Sequence, residues 1–360
     1  MSAEGNRKFD DLVRDVIEKG FCSLCGTCAA TCPVNAIAID GEPHLVGVCE
    51  ECGLCYAHCP QTEPLENPEF SRVLHGGHYV EGIGHFRDAY MAKSKIDEIL
   101  GRAYKGGVVT SLLLYMMDKK LIDAAIVTRA TEVWEAYPHV ALNKEDIVSA
   151  AGTKYTSSPV VLGLARAVIE MNKHRVAVVG VPCHIRAIRK MMYSEKGYLK
   201  LGHAVTFLIG IFCMESLHYE RFIRFLESKS INVKDIKKFE ITKGKFIAIS
   251  KDGSEALKIP VKELEECMMT CRRNCGDFAA EMADISVGAV GAPPGWSTVV
   301  IRTKKGEMVF HGAVEEGYLD AVHVSDRKLR LDVVMKLGLS KKGIQIKPEP
   351  EASLHPIARA

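Results

Sequence analysis

Eight of the thirteen cysteines lie within 38 residues and repeat one spacing, C-x2-C-x2-C-x3-C-P, twice. The two runs are Cys22, Cys25, Cys28 and Cys32, and then Cys49, Cys52, Cys55 and Cys59. Thiolates are soft, charged ligands that suit iron, and a C-x2-C-x2-C loop wraps three of them around one face of an iron–sulfur cube. Zinc sites usually pair two cysteines with two more, so eight cysteines in this duplicated order indicate iron–sulfur clusters.

The fourth cysteine of each run is expected to serve the cluster of the other run, as in the two-cluster ferredoxin pattern. One 4Fe-4S cluster would then use Cys22, Cys25, Cys28 and Cys59, and the other would use Cys49, Cys52, Cys55 and Cys32. The small residues Gly26 and Gly53 let backbone amides approach the sulfurs. We therefore predict an α+β, ferredoxin-like module over residues 1–65 that transfers electrons. The alternative is a pair of clusters that only holds the fold.

The remaining residues of the 360-residue chain are enough for a second, larger domain. Apolar runs that alternate with helical patterns predict an α/β domain over residues 86–345. Strands are expected at 124–128, 175–180, 205–213, 285–288 and 298–302. Helices are expected at 8–20, 108–119, 160–173, 184–193 and 219–228. Asp252-Gly253 predicts a hairpin between strands at 245–250 and 255–260.

Two further segments have the composition of irregular structure. Residues 66–85 are rich in Pro, Gly and His and are predicted to be a linker. Residues 346–360, which include PEPEASLHPIARA, are predicted to be a flexible tail.

Charge and hydropathy exclude several classes of function. The net charge of +2 gives no reason to expect nucleic acid binding. No apolar stretch approaches the roughly 20 residues of a membrane span, and the polar amino terminus has no signal-peptide core. Thirteen cysteines are then expected to be reduced thiols or metal ligands in a cytoplasmic protein without a membrane span.

Three glycine- or hydroxyl-rich segments of the larger domain could hold an anionic cofactor. Residues 105–112 (KGGVVTSL) place two glycines at the start of a helix, where free amides bind phosphate or a flavin edge. Residues 152–159 (GTKYTSSP) supply a cation, hydroxyls and an aromatic ring, although they also suit a capped turn with a solvated lysine. Residues 176–183 (VAVVGVPC) form a buried strand that ends in a turn with a cysteine. No G-x-G-x-x-G follows any strand, so a standard nicotinamide-binding fold is not supported.

These segments together resemble the family formed by the beta subunits of coenzyme F420 hydrogenases and dehydrogenases. The similarity continues in IGIFCME at 209–215, CGDF at 275–278 and ADISVG at 283–288, and covers roughly residues 76–310. A two-cluster module ahead of such a domain looks most like the FAD- and iron–sulfur-containing input subunit of archaeal F420H2 dehydrogenases. FEITKGKFIAISKD at 239–252 and VGAVGAPPGW at 287–296 carry that finer similarity.

The resemblance implies a bound FAD and a hydride exchange between this flavin and coenzyme F420. Deazaflavins move two electrons as a hydride and clusters accept one electron at a time, so a flavin is needed between them. By similarity, FAD contacts are assigned to Gly106, Gly107, Thr110, Lys154, Tyr155, Ser157, Gly180 and Pro182. No side chain is expected to perform acid–base catalysis, because positioning of two stacked rings would suffice.

Five cysteines remain outside the module. The family carries cysteines at places that match Cys183 and Cys213, and a C-x2-C-x-D-F motif that matches Cys271 and Cys275 with one extra residue between them. This extra residue, and Cys267 four residues upstream, leave the ligand set of a third cluster open. Free cysteines are also often simply buried. A third 4Fe-4S cluster held by Cys183, Cys213, Cys271 and Cys275 is the favoured interpretation.

The leading hypothesis is an F420-dependent oxidoreductase that passes electrons to a membrane-bound F420H2 dehydrogenase complex or a soluble heterodisulfide reductase, with the reverse direction also open. The first of these partners would place the chain on the cytoplasmic face of a membrane. Two alternatives stay open. One is a ferredoxin-dependent flavoprotein that reduces another organic substrate, and the other is a non-catalytic electron-transfer protein without flavin.

Overall fold

An eight-stranded mixed sheet forms the centre of the larger domain in the computed structural model, which describes residues 7–63, 76–193, 199–326 and 330–344. The fifteen described strands are numbered in chain order as β1 Ile37–Asp40, β2 Glu42–Leu45, β3 His78–Val80, β4 Gly84–Phe86, β5 Asp88–Ser94, β6 Ala124–Ala130, β7 Ala136–Ala141, β8 Val176–Gly180, β9 Val205–Ile211, β10 Ile236–Thr242, β11 Lys245–Ser250, β12 Glu255–Pro260, β13 Ile285–Gly288, β14 Ser297–Ile301 and β15 Leu319–His323.

The α-helices of the described residues are Phe9–Leu12, Thr27–Ala30, Leu54–His58, Asp97–Arg102, Val108–Asp118, Lys144–Ser149, Val160–Ala165, Pro182–Tyr193, Leu199–Ala204, Tyr219–Ser228, Lys304–Glu315 and Leu331–Lys341. Two segments are π-helical, Val13–Ile17 and Arg166–Glu170. Four segments are 3-10 helices, namely Val233–Asp235, Val261–Cys267, Thr270–Asn274 and Val324–Asp326. None of the helices in these described ranges is long and apolar enough to cross a membrane.

The strand order of the large sheet is β15-β5-β14-β13-β9-β8-β6-β7. Strands β13, β9, β8 and β6 pair in parallel, and β5 runs in the same direction because it pairs antiparallel to β14, which is itself antiparallel to β13. Five strands therefore end at one side of the sheet, which we call the carboxyl edge. Ligands of open α/β sheets bind at such an edge.

Apolar side chains cover both faces of this sheet. Ala125 and Val127 of β6 pack with Leu112 and Phe310 on one face, while Ile126, between them in sequence, packs with Ile185 on the other. Successive residues of a strand point to opposite faces, so a run of apolar residues without alternation is what a doubly covered strand requires. The predicted α/β domain is confirmed at this level, with a mixed rather than parallel sheet.

The cysteine module repeats its backbone conformation as well as its sequence. Gly26 and Gly53, each just before a short helix, have left-handed φ values of 88° and 76°. Leu24 and Glu51 also have positive φ values, 54° and 50°. Both pairs are 27 residues apart, so each C-x2-C-x2-C loop makes the same left-handed turns. Such turns expose consecutive backbone amides toward the sulfurs that they surround.

Most of the predicted elements are present with shifts of one to three residues at their ends. Two predicted helices change character: residues 8–20 contain Phe9–Leu12 followed by a π-helical turn, and the helix from Val160 becomes π-helical at Arg166. Strands β5, β7 and β15 and the helices Lys304–Glu315 and Leu331–Lys341 were not predicted.

The segments expected to be irregular fall largely outside the described residues. Of the expected linker at 66–85, the described part forms the hairpin β3–β4. The expected tail at 346–360 lies outside the described residues, as do residues 66–75.

Candidate functional site

The first group of thiols consists of Cys22, Cys25, Cys28 and Cys59. Burial raises the pKa of the Cys28 thiol well above its usual range, and the neighbouring sulfurs of Cys25, Cys22 and Cys59 raise it further. Cys25, Cys28 and Cys59 are buried, and Cys22 is half-buried. The Leu24 amide donates a hydrogen bond to the Cys22 Sγ over 3.5 Å. The fold thus gathers the set of four that the sequence pattern assigned to one cluster.

The second group consists of Cys32, Cys49, Cys52 and Cys55. Burial raises the pKa of Cys55 to about 12, and the sulfurs of Cys52, Cys49 and Cys32 add to this effect. The Ala36 amide donates a hydrogen bond of 3.2 Å to the Cys32 Sγ. Three of these four cysteines are only half-buried, so the second group lies nearer to solvent than the first.

The third group consists of Cys183, Cys213, Cys271 and Cys275. Cys183 is the second residue of the helix after β8, and Cys213 follows β9, so both lie at the carboxyl edge. Burial raises the pKa of the Cys183 thiol, and the sulfurs of Cys25, Cys271, Cys275 and Cys213 raise it further.

Cys267 is not part of this third group. It is buried in the apolar cluster around the β10–β12 sheet, where its thiol donates to the Arg221 carbonyl. The ligand set of a third cluster, Cys183, Cys213, Cys271 and Cys275, stays a prediction.

A cluster and a single ion place different demands on sulfur spacing. Four thiolates around one zinc, with bonds of about 2.3 Å, would lie about 3.8 Å apart. Among the described residues, no three His, Cys, Asp or Glu side chains form a site for one metal ion. A 4Fe-4S cube has an iron at each bonded corner and holds its ligand sulfurs further apart than a single zinc ion does.

The three groups form a series. Besides the members of its own group, Cys183 is influenced by Cys25, and Cys271 by Cys22, which links the third group to the first. The charge of Cys55 in turn influences Cys28, which links the first group to the second. A path of neighbouring sulfurs therefore runs from the carboxyl edge to the outer side of the module.

A buried lysine and a backbone amide join the module to the larger domain. Lys190, which is 5% exposed, donates to the Cys59 carbonyl (2.7 Å), the Thr62 hydroxyl (2.8 Å) and the Glu63 carbonyl (2.9 Å). The Val161 amide donates to the Cys25 carbonyl over 3.1 Å. Lys190 belongs to the same helix as Cys183, so one helix holds the third group and binds the module that carries the first.

Lys341 lies against the third group. Its Nζ donates to the carbonyl of Cys213. Burial lowers the pKa of Lys341, but the negative charges of Cys213, Cys275 and Asp277 outweigh burial and raise it. A half-buried cation beside these four cysteines stabilises added negative charge there. Sequence reasoning missed Lys341 because only the fold brings it to these cysteines from 128 residues away in sequence.

The glycine segment at 105–112 packs against two strands. A Cβ on Gly106 would lie 2.5 Å from the Ala92 carbonyl oxygen and 2.9 Å from the Ser297 nitrogen. Gly107 has a left-handed φ of 69°, and Thr110 is buried in the first helical turn. The Gly106 amide donates to the Ser297 hydroxyl over 3.2 Å. Close packing therefore requires glycine at position 106, whatever ligand the loop binds.

Lys154 organises the loop in which it lies. Its Nζ donates to the carbonyls of Ala150 (2.6 Å), Ala151 (3.1 Å) and Gly152 (3.1 Å). Burial, with a smaller contribution from Arg129, lowers the pKa of Lys154 to about 8. Three carbonyls occupy the three ammonium hydrogens, so Lys154 would attract an anion by its charge rather than by a free N–H.

Tyr155 and Ser157 connect this loop to the smaller sheet and the core. The Ile241 amide of β10 donates to the Tyr155 hydroxyl over 3.0 Å, and the Tyr104 hydroxyl donates to the Ile241 carbonyl. The Ser157 amide donates to the Leu217 carbonyl over 3.0 Å. Tyr104 was missed at the sequence level, although it directly precedes the glycine segment.

The turn after β8 completes this side of the sheet. A Cβ on Gly180 would lie 2.7 Å from the Cβ of His184, and Pro182 is the first residue of the following helix. Burial lowers the pKa of His184 to about 4, so this imidazole is neutral at pH 7. Its Nδ1 accepts a hydrogen bond from the Val181 amide over 3.3 Å.

Two buried hydroxyls in the 152–159 loop have no hydrogen-bond partner among the residues that the structure describes. They belong to Thr156 and Ser158, which are 8% and 4% exposed. Burying a hydroxyl without a partner costs roughly 1–3 kcal/mol, so such groups point to a polar ligand. This donor set fits a flavin, whose ring and phosphates accept hydrogen bonds.

Comparison with known proteins first defines the class of the module and then the family of the chain. A model of 4Fe-4S binding domains matches residues 15–38, so the amino-terminal part carries a ferredoxin-type cluster motif. The models for the amino- and carboxyl-terminal parts of the coenzyme F420 hydrogenase/dehydrogenase beta subunit match residues 89–165 and 173–327. The chain belongs to this family of beta subunits, which confirms the resemblance drawn from its sequence.

Individual relatives agree with the family models. The beta subunit of a coenzyme F420 hydrogenase of Methanococcus voltae is 39% identical over 72% of this chain and 92% of its own length. A subunit of the F420H2 dehydrogenase of Methanosarcina mazei is 32% identical over 92% of each protein. The second alignment leaves out only 8% of this chain, so it includes at least part of the cysteine module. A chain of the F420-reducing [NiFe] hydrogenase complex of Methanosarcina barkeri superposes with a TM-score of 0.69, is 34% identical, and aligns over 73% of this chain and 92% of its own.

Proposed function

We propose that this chain oxidises reduced coenzyme F420 by hydride transfer to a bound FAD and passes single electrons through 4Fe-4S clusters to a partner complex. The observation that carries the proposal is the series of twelve cysteines, in three groups of four, that links the carboxyl edge to the surface of the module. A chain that only bound a neighbouring subunit would not need such a path. The family membership supplies the substrate, coenzyme F420.

The residues of each group fit a 4Fe-4S cluster. Four thiols per group supply one ligand for each iron, and backbone amides hydrogen-bond to sulfur at Cys22 and Cys32. Around the flavin position, Gly106 and Gly180 keep the backbone loops close to the sheet, and Lys154 adds positive charge. The hydroxyls of Thr156 and Ser158 offer hydrogen bonds that the chain itself leaves unused. FAD would supply the change from two-electron to one-electron transfer.

The role assigned to these residues is to position the flavin and its substrate, not to perform acid–base catalysis. His184 is neutral and already holds the Val181 amide, so no acid–base role is assigned to it. The small sheet approaches the 104–107 and 152–158 loops through Tyr104 and Tyr155, and thereby fixes their separation. The same route carries electrons in reverse when the partner is the stronger reductant. A membrane F420H2 dehydrogenase and a soluble heterodisulfide reductase are the proposed partner types.

The test is an anaerobic one, in which reduced coenzyme F420 is added to the full chain loaded with FAD, iron and sulfide. Prompt bleaching of the flavin absorbance with recovery of the F420 absorbance is expected. No exchange by protein with intact flavin and clusters would overturn the proposal and favour a reductase of another organic substrate. Protein that binds clusters but no flavin would favour a non-catalytic carrier.

A pair of glycine variants tests the flavin site. Gly106→Ala places a Cβ against two backbone atoms and is expected to abolish FAD binding, as measured by the flavin content of the purified protein. Gly101→Ala is the control, because a Cβ at this exposed helical position meets nothing within 4 Å. Equal flavin content in the two variants would contradict the site, provided that both retain the cluster spectrum.

A further inference from the structure

The outer side of the cysteine module has an unusual charge pattern. From residue 21 to residue 62 the sequence contains no Lys or Arg, but four acidic residues, which are Asp40, Glu42, Glu50 and Glu51. All four are exposed. Lys8 approaches this region and pairs with Glu51 over 2.7 Å and with Asp10 over 3.7 Å. The remaining carboxylates give this side of the module a negative potential, to which the thiolates and any clusters add.

Exposed aliphatic side chains lie in the middle of these charges. Val34, Leu45, Val46 and Val48 are 47%, 39%, 61% and 82% exposed. Scattered exposed apolar residues are normal on protein surfaces, but a contiguous group is a mark of an interaction site. The β1–β2 hairpin places Leu45 and Val46, because it pairs Ile37 with Leu45 and holds the Val46 amide on the Ala36 carbonyl at 2.9 Å, and Val34 lines one depression with Leu45.

This aliphatic group lies over the second group of cysteines. Val34 and Leu45 line the same small depression as Cys32, Cys49 and Cys52. Beside it, an open groove of about 540 Å³ runs between the hairpin and the first helical segment, with an apolar floor of Phe9, Val13 and Ile17. Asp10, Glu18 and Glu42 also line this groove. The groove and the depression share Phe9 and Leu45, so the acidic side chains of the groove are adjacent to the apolar centre over the second group.

We propose that this surface, which we call the exit face, is the docking site for the redox protein that exchanges electrons with the second group. The exit face consists of Val34, Leu45, Val46 and Val48 together with the acidic side chains of Asp40, Glu42, Glu50 and Glu18. The partner is a protein that presents a small apolar centre ringed by lysines and arginines around its own cofactor. This inference rests on the proposed function only in taking the second group as the end of the electron path.

Charge selects this occupant over others. Two copies of this chain that met through their exit faces would bring acidic rims together, and an anionic lipid surface would also be repelled. A small apolar centre with a charged rim suits the weak, transient encounters of electron-transfer proteins, which bury less than about 1,200 Å². Complementary charge in such encounters mainly increases the rate of association.

The test needs neither coenzyme F420 nor FAD, so its failure is separable from failure of the proposed function. The full chain with its clusters is reduced by dithionite, freed of excess reductant, and mixed in a stopped-flow instrument with oxidised cytochrome c. Cytochrome c is a basic protein with an exposed haem edge. We expect a second-order rate constant that falls as salt is added, because the attraction is screened.

The variant is the double substitution Glu18→Lys and Glu42→Lys. It should lower the rate constant at low salt by about tenfold and flatten its salt dependence. The control is Glu227→Lys with Glu315→Lys, which makes the same change in net charge on exposed helical positions of the larger domain. It should change the rate constant by less than about twofold. With an acidic flavodoxin as the acceptor, the exit-face variant should react faster than the wild type.

Several outcomes would overturn the docking site. Equal effects of the two double variants would mean that only net charge matters. An unchanged rate in the exit-face variant, with iron content and cluster spectrum intact, would exclude this face. Dimers of the wild type that dissociate in a Val46→Lys, Val48→Lys variant during sedimentation would assign the face to a second copy of this chain instead.

Discussion

The two cysteine runs have the same spacing and the same left-handed turns, yet they have different surroundings. The first run is covered by the larger domain, whose Val161 amide binds the Cys25 carbonyl and whose Cys183 lies beside Cys25. The second run also contacts the larger domain, because Lys190 donates to the Cys59 carbonyl, but its Cys49 and Cys52 are half-exposed. Under the proposed function, the copy next to the larger domain would exchange electrons inside the protein, and the more exposed copy would face a partner.

The largest expected effect tests whether the first group of cysteines precedes the second group in the proposed electron path. Cys25→Ser and Cys52→Ser should each lose one cluster, about four irons per chain. With reduced coenzyme F420 as the donor, Cys52→Ser should still reduce the clusters of the first and third groups, whereas Cys25→Ser should leave the second group oxidised. Electron paramagnetic resonance of samples frozen after mixing measures this difference. If the same clusters became reduced in both variants, the proposed order of the three groups would be wrong.

Exposure should also decide the order in which iron is lost. A chelator reaches iron most easily where the cysteines face solvent, so the second group should release its iron on the order of ten times faster than the first. Iron release, followed together with the loss of each cluster signal, measures the two rates. Simultaneous loss of both cluster signals would indicate global unfolding. The rate of iron release from protein denatured in urea is the reference for that case.

The cysteine pattern predicts two ligand sets, because the cysteines are close in sequence and the cube constrains every spacing, and these sets stay predictions. The strands that form the middle of the large sheet were predictable from their apolar runs. By contrast, β5 (DAYMAKS) has a polar first residue and a lysine near its end, and its place between β14 and β15 depends on tertiary pairing. Lys190 and Lys341 look like ordinary surface lysines in the sequence. Only the fold buries them against Cys59 and Cys213.

Attachment of the module to the larger domain gives the next prediction. Lys190→Met would leave the carbonyls of Cys59 and Glu63 without their buried donor, and should lower the free energy of unfolding by about 1–3 kcal/mol. Lys8→Met removes an exposed ion pair with Glu51 on the opposite side and should leave the unfolding midpoint unchanged. Anaerobic urea unfolding measures both variants. Equal destabilisation would mean that the module is held as firmly by its outer charges as by the domain.

The smallest expected effect concerns the charges around the two ends of the path. Lys341→Gln removes the half-buried cation beside the third group, and should lower the reduction potential of that cluster by about 60 mV, or about 1.4 kcal/mol for one electron. Lys342→Gln is the matched control, because this neighbouring lysine pairs with Glu281 over 3.1 Å instead of contacting a cysteine carbonyl. Redox titration followed by electron paramagnetic resonance measures both variants, and equal shifts would contradict a local role for Lys341.

From residue 21 to residue 62 the chain carries no Lys or Arg, and Lys8, which approaches this region, pairs with Glu51. A basic partner on the exit face would bring positive charge to the second group only while it is docked. The potential of the second cluster should therefore rise on docking, which favours transfer along the path when an acceptor is present. A redox titration of the wild type with and without redox-inactive, zinc-substituted cytochrome c tests this. An unchanged potential would limit the role of the exit face to the rate of encounter.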